Sequence, residues 1–235
     1  MTQGRISSIE TLGLMDGPGI RFVAFFQGCK LRCKYCHNPE TWNINGESEI
    51  LTGDELVTKI AKYKNYFGDN GGVTFSGGEP LLQPEFLLEC LKKCKEQGIH
   101  TCIDTAGVGF GEYAEILKNV DLVILDIKAV DEVEYKELTG QDIRFFNEFL
   151  STLKQSGNKI WLRQVIVPGI NDDEDHILKL KTFAATIPNV EKIELLPYKT
   201  IGVHKYRKLK LPYRLDGVPE MDDSRLAELE KILKK

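Results

Sequence analysis

Residues 25–42 read FFQGCKLRCKYCHNPETW, and they contain three of the six cysteines of the chain, Cys29, Cys33 and Cys36. A structural zinc ion takes four protein ligands, and no fourth cysteine or CxxH partner stands at zinc-finger spacing. The three thiols are therefore an incomplete set for a structural zinc site. The function of these cysteines depends on the fold that the rest of the chain forms around them.

Length and composition favour one globular domain. The 235 residues suffice for one α/β core, and a formal net charge of −4 gives no indication of a nucleic-acid partner. The first residues, MTQGRISSIE, lack the pattern of a signal peptide, and no apolar run is long enough to span a membrane. We expect a cytoplasmic protein with a single domain over residues 1–235, in which cysteines serve as metal ligands, redox groups or core residues.

Six continuous apolar runs recur between amphipathic segments. Such runs are typical of parallel strands that are covered on both faces. They are FVAFF (22–26), GVTFS (72–76), HTCID (100–104), DLVILDIK (121–128), IWLRQVIV (160–167) and KIELL (192–196). Six strand–helix units are too few for a closed eight-fold barrel. The sequence therefore predicts an α/β fold, a partial (β/α)6 barrel with parallel strands that is open on one side.

Several helix ends can be read directly. Thr52 and Glu55 have the spacing of a capping box before LVTKIAKY. Pro84 is expected to open a helix that Gly98 closes, and Asp222 is expected to cap the final helix.

The three clustered cysteines follow the first predicted strand, at the end where parallel sheets carry function. Thiolates are soft ligands that suit iron–sulfur clusters, and CxxxCxxC can hold three irons of a four-iron cubane and leave the fourth open. The alternatives are a zinc knuckle or a chance group of core cysteines. The other cysteines, Cys90, Cys94 and Cys102, are expected to act as small apolar packing residues.

The cysteine loop resembles the cluster loop of the radical S-adenosylmethionine superfamily. Within that superfamily, DGPGIR (16–21) together with YCHN resembles the activating enzymes of glycyl radical enzymes. The segments IHTCIDT, LVILDIK, VPGINDD and VEKIELLPY extend the resemblance to about Asp216. It implies a partial (β/α)6 barrel, a 4Fe-4S cluster on the three cysteines, and S-adenosylmethionine chelated to the open iron.

The resemblance also implies an oxidoreductase reaction. The reduced cluster would pass an electron to S-adenosylmethionine, and the 5′-deoxyadenosyl radical so formed would take hydrogen from the α carbon of a glycine in a partner. The expected partner is pyruvate formate-lyase, activated under anaerobic conditions, and the expected electron donor is a flavodoxin or ferredoxin. No acid–base residue is required, and we expect a monomer without a nucleic-acid or membrane partner.

Contacts to S-adenosylmethionine follow from the resemblance and fall mainly at predicted strand ends. Without it, SGGEP (76–80) would be an ordinary turn, and Tyr35 and His37 would be loop packing residues. The implied contacts are Tyr35, Cys36 and His37 at the adenine, Gly77, Gly78 and the region of Glu79 at the amino group, and Asp104, Asp126, Ile127 and Lys128 along the methionine and ribose.

Two further assignments rest on the same resemblance. Asp104, Thr105 and Asp126 are expected to supply oxygen ligands to a monovalent cation beside the carboxylate of the cofactor. Lys199 stands where the family has a histidine that reaches the cofactor, and His204 is a possible substitute.

The same resemblance implies that Asp16, in DGPGIR, binds the glycine loop of the protein partner. The alternative is a turn that only starts the first strand. The 35 residues between Cys36 and Gly72 contain no cysteine, so we expect no ferredoxin-like insert.

Other functions stay open at this point. The chain could activate another glycyl radical enzyme, or it could be a radical enzyme acting on a small molecule, such as the synthase that makes carboxy-deazaguanine. A simple iron–sulfur electron carrier is a further alternative, but it would not explain the GGEP and DIK motifs or the aspartates at the strand ends.

Overall fold

The computed structural model describes residues 2–234, and its centre is one eight-stranded sheet. The strands are Gln3–Gly13 (β1), Arg21–Phe26 (β2), Glu49–Thr52 (β3), Gly72–Gly77 (β4), His100–Thr105 (β5), Leu122–Asp126 (β6), Lys159–Ile166 (β7) and Val190–Pro197 (β8). Their order is β3-β1-β2-β4-β5-β6-β7-β8, and all neighbours from β2 to β8 are parallel. The six predicted strands and the open α/β fold are thus confirmed.

Two antiparallel strands, β1 and β3, extend the sheet beyond the predicted six. β1 pairs with both β2 and β3. Most side chains of β1 after Ile6 are exposed or half-buried, and β3 has only four residues. Neither strand therefore carries the continuous apolar run of a central parallel strand, which is the pattern that identified the others.

Eight helices lie along the described chain. They are Gly53–Ala61 (α1), Pro84–Glu96 (α2), Tyr113–Leu117 (α3), Glu132–Thr139 (α4), Arg144–Ser156 (α5), Glu174–Ala184 (α6), Val203–Leu209 (α7) and Asp223–Lys234 (α8). None of these helices, over residues 2–234, has the length and apolar character to cross a membrane.

The predicted helix ends are confirmed. The Glu55 backbone N–H donates to Thr52 Oγ1 over 3.3 Å, and the Thr52 N–H donates to Glu55 Oε2 over 2.8 Å. Pro84 begins α2, and Gly98 follows it with a φ of +64°, a conformation that glycine adopts without strain. At α8, Asp222 Oδ1 accepts from the backbone N–H of Arg225.

The two faces of the parallel strands differ in character. One face packs against the helices and belongs to the main core, with Val73, Ile103 and Val123 all fully buried. On the opposite face, a small apolar cluster of Cys102, Leu122, Ile124 and Trp161 gives way to polar side chains toward the carboxyl ends. The sheet therefore presents polar groups at the end where the cysteine loop begins.

Cys90, Cys94 and Cys102 are fully buried among apolar side chains, so their predicted packing role is confirmed. Burial raises the pKa of the Cys94 and Cys102 thiols to about 12. These thiols remain protonated near neutral pH.

Candidate active site

A cavity of about 360 Å³ lies at the carboxyl ends of the parallel strands. The cysteine loop forms one wall, and the ends of β4, β5, β6, β7 and β8 form the rest. Of the residues predicted for the site, the cavity brings together Cys29, Cys33, Tyr35, Cys36, His37, Gly77, Gly78, Asp104, Thr105, Asp126 and Lys128. Glu79, Ile127, Lys199 and Asp16 do not line it.

The start of the cysteine loop is held by the residues that follow it. The buried Gln27 side chain donates from Nε2 to the carbonyls of Glu40 and Asn43, at 2.9 and 2.7 Å. The Gly28 N–H donates to the Thr41 carbonyl over 2.8 Å, with a φ at Gly28 of +101° that favours glycine. These bonds fold the segment back on itself, so that its thiols face the strand ends.

Helix α4 holds the middle of the loop. The backbone N–H of Arg32 donates to the Thr139 carbonyl over 2.7 Å, and that of Lys34 donates to the Leu138 carbonyl over 2.9 Å. The last turn of a helix has free carbonyls, and here the loop satisfies two of them. Cys33 is thereby fixed between two anchored neighbours.

The donor chemistry of the loop fits an iron–sulfur cluster. Burial, followed by repulsion from Cys36 and Asp126 and opposed by Lys128, raises the pKa of Cys33 to about 11, and burial also raises the pKa values of Cys29 and Cys36. Within residues 2–234, no group of three His, Cys, Asp or Glu side chains is placed to hold a single metal ion. The three thiols instead share one cavity wall, an arrangement in which each can bind a different iron.

Asp126 and Lys128 form an ion pair at the end of β6. Lys128 Nζ lies 2.7 Å from Asp126 Oδ2 and 5.6 Å from the centre of the Tyr35 ring. Burial opposes the charge on Lys128, but Asp126, Tyr35 and Cys33 together raise its pKa well above the ordinary value. The cavity therefore holds a protonated Lys128, paired with Asp126, beside the cysteine loop.

The carboxylates of Asp104, on β5, and Asp126, on β6, both line the cavity. Burial, followed by repulsion from Asp126, raises the pKa of Asp104 to about 7. Ser76 Oγ donates to Asp104 over 3.1 Å, and Arg163 Nη1 lies 4.0 Å from the same oxygen. Sequence reasoning missed Arg163, whose signal was a charged residue inside an apolar strand; its Nε also donates to Glu194 over 2.9 Å.

Glu79 lies beneath the cavity wall and is 1% exposed. Its Oε1 accepts from the Leu81 N–H at 3.1 Å and from Thr105 Oγ1 at 2.6 Å, and its Oε2 accepts from the Ala106 N–H at 2.9 Å. Burial raises the pKa of Glu79 to about 7 against these donors. Its side chain therefore ties the end of β4 to the end of β5.

Glu79→Gln should lower the free energy of unfolding of the cofactor-free protein by about 1–3 kcal/mol, the cost of leaving a buried polar group unpaired. A glutamine offers only one oxygen, so either the Ala106 N–H or the donors at Oε1 would face an NH2 group. Urea unfolding followed by circular dichroism measures the change. The exposed Glu112→Gln is the control, with an expected change within about 0.5 kcal/mol; an equal effect in both variants would contradict the structural role.

The Asp16 loop reaches the polar face of the sheet. The Asp16 carbonyl accepts from Thr74 Oγ1 over 2.6 Å, and the Met15 carbonyl accepts from Arg163 Nη2 over 2.7 Å. Gly17 makes the turn with a φ of +132°. Burial, followed by repulsion from Glu10, raises the pKa of the Asp16 carboxyl. The loop thus contacts Arg163, which also approaches Asp104 in the cavity.

Lys199 and Ile127 point away from the cavity. Lys199 Nζ lies 3.6 Å from Glu220 and 3.8 Å from Asp223, while its backbone carbonyl lies 2.8 Å from His37 Nε2. The Ile127 side chain is in the main core. His204, the possible substitute for Lys199, is exposed and contacts its own helix start.

Comparison with known proteins identifies relatives over the full chain. Residues 23–180 match the model of the radical SAM superfamily. A pyruvate formate-lyase-activating enzyme of Clostridium pasteurianum is 57% identical over 235 residues, covering 100% of this chain and 98% of that protein. One from Staphylococcus epidermidis is 44% identical, covering 97% of this chain and 94% of that protein.

Solved structures agree with this assignment. The crystal structure of a domain of a pyruvate formate-lyase-activating enzyme from Bacteroides vulgatus superposes with a TM-score of 0.55 at 29% identity, covering 70% of this chain and 93% of that one. Streptococcus suis SuiB, at 18% identity and a TM-score of 0.65 over 88% of this chain and 43% of its own, shares the fold. The chain belongs to the radical SAM superfamily and, within it, to the family of the pyruvate formate-lyase-activating enzymes.

Proposed function

We propose that this protein activates pyruvate formate-lyase by generating a glycyl radical on it through reductive cleavage of S-adenosylmethionine. The observation that carries the proposal is the single cavity in which the three thiols meet the polar residues at the strand ends. The relatives named above support the choice of partner. When bound, the cluster and S-adenosylmethionine supply the electron transfer and the radical chemistry, and the protein binds, orients and shields them.

The three cysteines would hold the 4Fe-4S cluster. Cys29, Cys33 and Cys36 are the thiols of the cavity, and the bonds from Gln27 and α4 hold their loop in place. Part of the wall is apolar, with Leu31, Val165 and Leu196 among its residues, which limits the access of water.

The glycines at the end of β4 would let the backbone approach S-adenosylmethionine. A Cβ at Gly77 would lie 2.3 Å from the Phe26 nitrogen, and one at Gly78 would lie 2.2 Å from the Gly28 oxygen. Only glycine fits such contacts, so the β4 end stays close to the cysteine loop. In this position their backbone can bind the amino group of the cofactor, with Glu79 bracing the turn from below.

Charged and aromatic side chains of the cavity would make the remaining contacts to S-adenosylmethionine. Lys128 supplies the positive charge that a carboxylate of the cofactor requires, and Tyr35 and His37 supply flat rings for the adenine. Asp126 can accept from ribose hydroxyls. Ile127 would contribute through its backbone, because its side chain is in the core.

A monovalent cation would resolve the repulsion between Asp104 and Asp126. Burial, followed by repulsion from Asp126, raises the pKa of Asp104 to about 7. Thr105 adds a hydroxyl oxygen on the same cavity wall. A cation at this place would lower the pKa of Asp104 and let its carboxyl group ionise beside Asp126.

We also propose a flavodoxin or ferredoxin as the electron donor and a monomeric, cytoplasmic single-domain protein without a ferredoxin-like insert. Chemical crosslinking with each donor tests the electron donor, and sedimentation of the purified protein tests the monomeric state.

We also propose that Asp16 binds the glycine loop of the partner. Its loop forms the edge of the polar face, where the Met15 carbonyl accepts a hydrogen bond from Arg163.

The deciding experiment uses anaerobically reconstituted protein with S-adenosylmethionine and a strong reductant. Mixed with pyruvate formate-lyase, it should give the electron paramagnetic resonance signal of a glycyl radical. Other glycyl radical enzymes, and small-molecule substrates in place of a protein, serve as the comparison. A stronger signal with another glycyl radical enzyme would change the partner, and S-adenosylmethionine cleavage without any glycyl radical would overturn the activase function.

Lys199→Ala should weaken S-adenosylmethionine binding by less than about fivefold, the range for a partly exposed ion-pairing side chain. Lys199 is a third exposed and pairs with Glu220, whereas Lys128 would still hold the methionine end. Anaerobic isothermal titration calorimetry measures the affinity. Lys128→Ala is the comparison, with a larger expected loss; a larger loss in Lys199→Ala would reverse the two roles.

A further inference from the structure

Tyr135, on α4, buries a hydroxyl group that has no hydrogen-bond partner within residues 2–234. The residue is 0% exposed, and its ring packs against Phe146 with the ring centres 6.0 Å apart. An unpaired buried hydroxyl is costly, and a phenylalanine would fill the same space without that cost. The hydroxyl therefore points to a partner that the polypeptide itself does not provide.

The position of Tyr135 places it next to the cysteine loop. Its own carbonyl accepts from Thr139 Oγ1 over 2.6 Å, and Thr139 in turn accepts from the N–H of Arg32. The last turn of α4 thus joins Tyr135 to the segment that carries Cys33. Tyr135 and the thiols also belong to one continuous core cluster, in which Cys33 is buried and Cys29 packs at its edge.

The electrostatic surroundings keep this hydroxyl protonated. Burial, followed by the influence of Cys33 and opposed by Lys128, raises the pKa of Tyr135 above its ordinary value. Glu79 and Cys29 act in the same direction as Cys33. A protonated tyrosine hydroxyl can donate one hydrogen bond to a nearby acceptor.

We propose that the Tyr135 O–H donates a hydrogen bond to a sulfur atom of the cluster held by Cys29, Cys33 and Cys36, and that this bond raises the reduction potential of the cluster. Reduction adds negative charge to the sulfurs, so a hydrogen-bond donor stabilises the reduced state more than the oxidised state. The proposal rests on the cluster assignment of the proposed function.

Tyr35 has the other buried tyrosine hydroxyl without a partner in the described part of the chain, and its position differs. Its ring lines the cavity, with Lys128 Nζ 5.6 Å from the ring centre. Tyr35 is thereby on the side of S-adenosylmethionine, whereas Tyr135 does not line the cavity and lies on α4, which anchors the cysteine loop. The two hydroxyls can be tested separately for that reason.

The test compares Tyr135→Phe with the wild-type protein in two states. Without the cluster, the variant should unfold at the same temperature or higher, because the hydroxyl has no partner to lose. With the cluster, its midpoint potential in an anaerobic titration followed by electron paramagnetic resonance should shift to a more negative value, with iron content unchanged.

Tyr198→Phe is the matched control. Tyr198 is also 0% exposed, but its hydroxyl pairs with that of Tyr213 over 2.8 Å. This variant should lose thermal stability without the cluster and keep the wild-type potential with it. The opposite pattern would show that buried tyrosine hydroxyls affect the protein only through its general stability.

The possible outcomes distinguish the Tyr135 hydrogen bond from the proposed activase function. An unchanged potential in Tyr135→Phe, with a normal iron content, would overturn the hydrogen bond and leave the activase function intact. A lower unfolding temperature of the cluster-free variant would also overturn it, because the hydroxyl would then have a partner in the protein or in a buried water. Failure of the wild-type protein to hold any cluster would overturn the proposed function itself.

Discussion

Alanine in place of any one of Cys29, Cys33 or Cys36 is expected to abolish the cluster, with the iron content and visible absorbance of the reconstituted protein falling to the background level. The cavity offers only these three thiols, so each removal leaves two ligands. Each thiolate is a direct ligand of one iron, so the cluster needs all three. The other cysteines are buried in the core and cannot replace a missing ligand.

Cys90→Ala, Cys94→Ala and Cys102→Ala are the matched controls. These thiols are fully buried in apolar surroundings, away from the cavity, so iron content should stay at the wild-type level. The free energy of unfolding should fall by on the order of 1 kcal/mol, the cost of deleting a small buried group. Loss of iron in any of the three would show that the ligand assignment is wrong.

Asp16→Ala is expected to reduce glycyl radical formation on pyruvate formate-lyase by more than about tenfold, which corresponds to roughly 1.4 kcal/mol of transition-state stabilisation. The loop of Asp16 is anchored by Thr74 and Arg163 through backbone carbonyls, so the substitution leaves those anchors in place. A flexible glycine loop needs fixed polar contacts to bring one α carbon to the radical. Cleavage of S-adenosylmethionine under strong reductant should continue, since Asp16 does not line the cavity.

The control for Asp16 is Glu10→Gln, at an exposed carboxylate that acts on the pKa of Asp16 from β1. Radical formation, measured by electron paramagnetic resonance, should stay close to wild type in this variant. If Asp16→Ala lost both activities equally, Asp16 would support the fold or the cofactor. Normal radical formation in Asp16→Ala would remove it from the substrate site.

Local patterns of residues are enough to predict the parallel strands, the capped helices and the cysteine loop. These features depend on local chemistry. Continuous apolar runs are typical of strands that are covered on both faces, and Thr52 forms a capping box because Glu55 stands three positions later. The loop follows β2 directly, so the rule for parallel sheets places its thiols at the functional end.

Which side chains at the strand ends face the cavity depends on contacts between distant segments of the chain. Glu79 follows two cavity glycines yet turns beneath them to Thr105, and Arg163 leaves an apolar strand to meet Met15, which is 148 positions away in the chain. The same holds for the Tyr135 hydroxyl, which has no hydrogen-bond partner within residues 2–234. Strand register and the contacts between distant segments fix these orientations, and a local pattern of residues does not contain them.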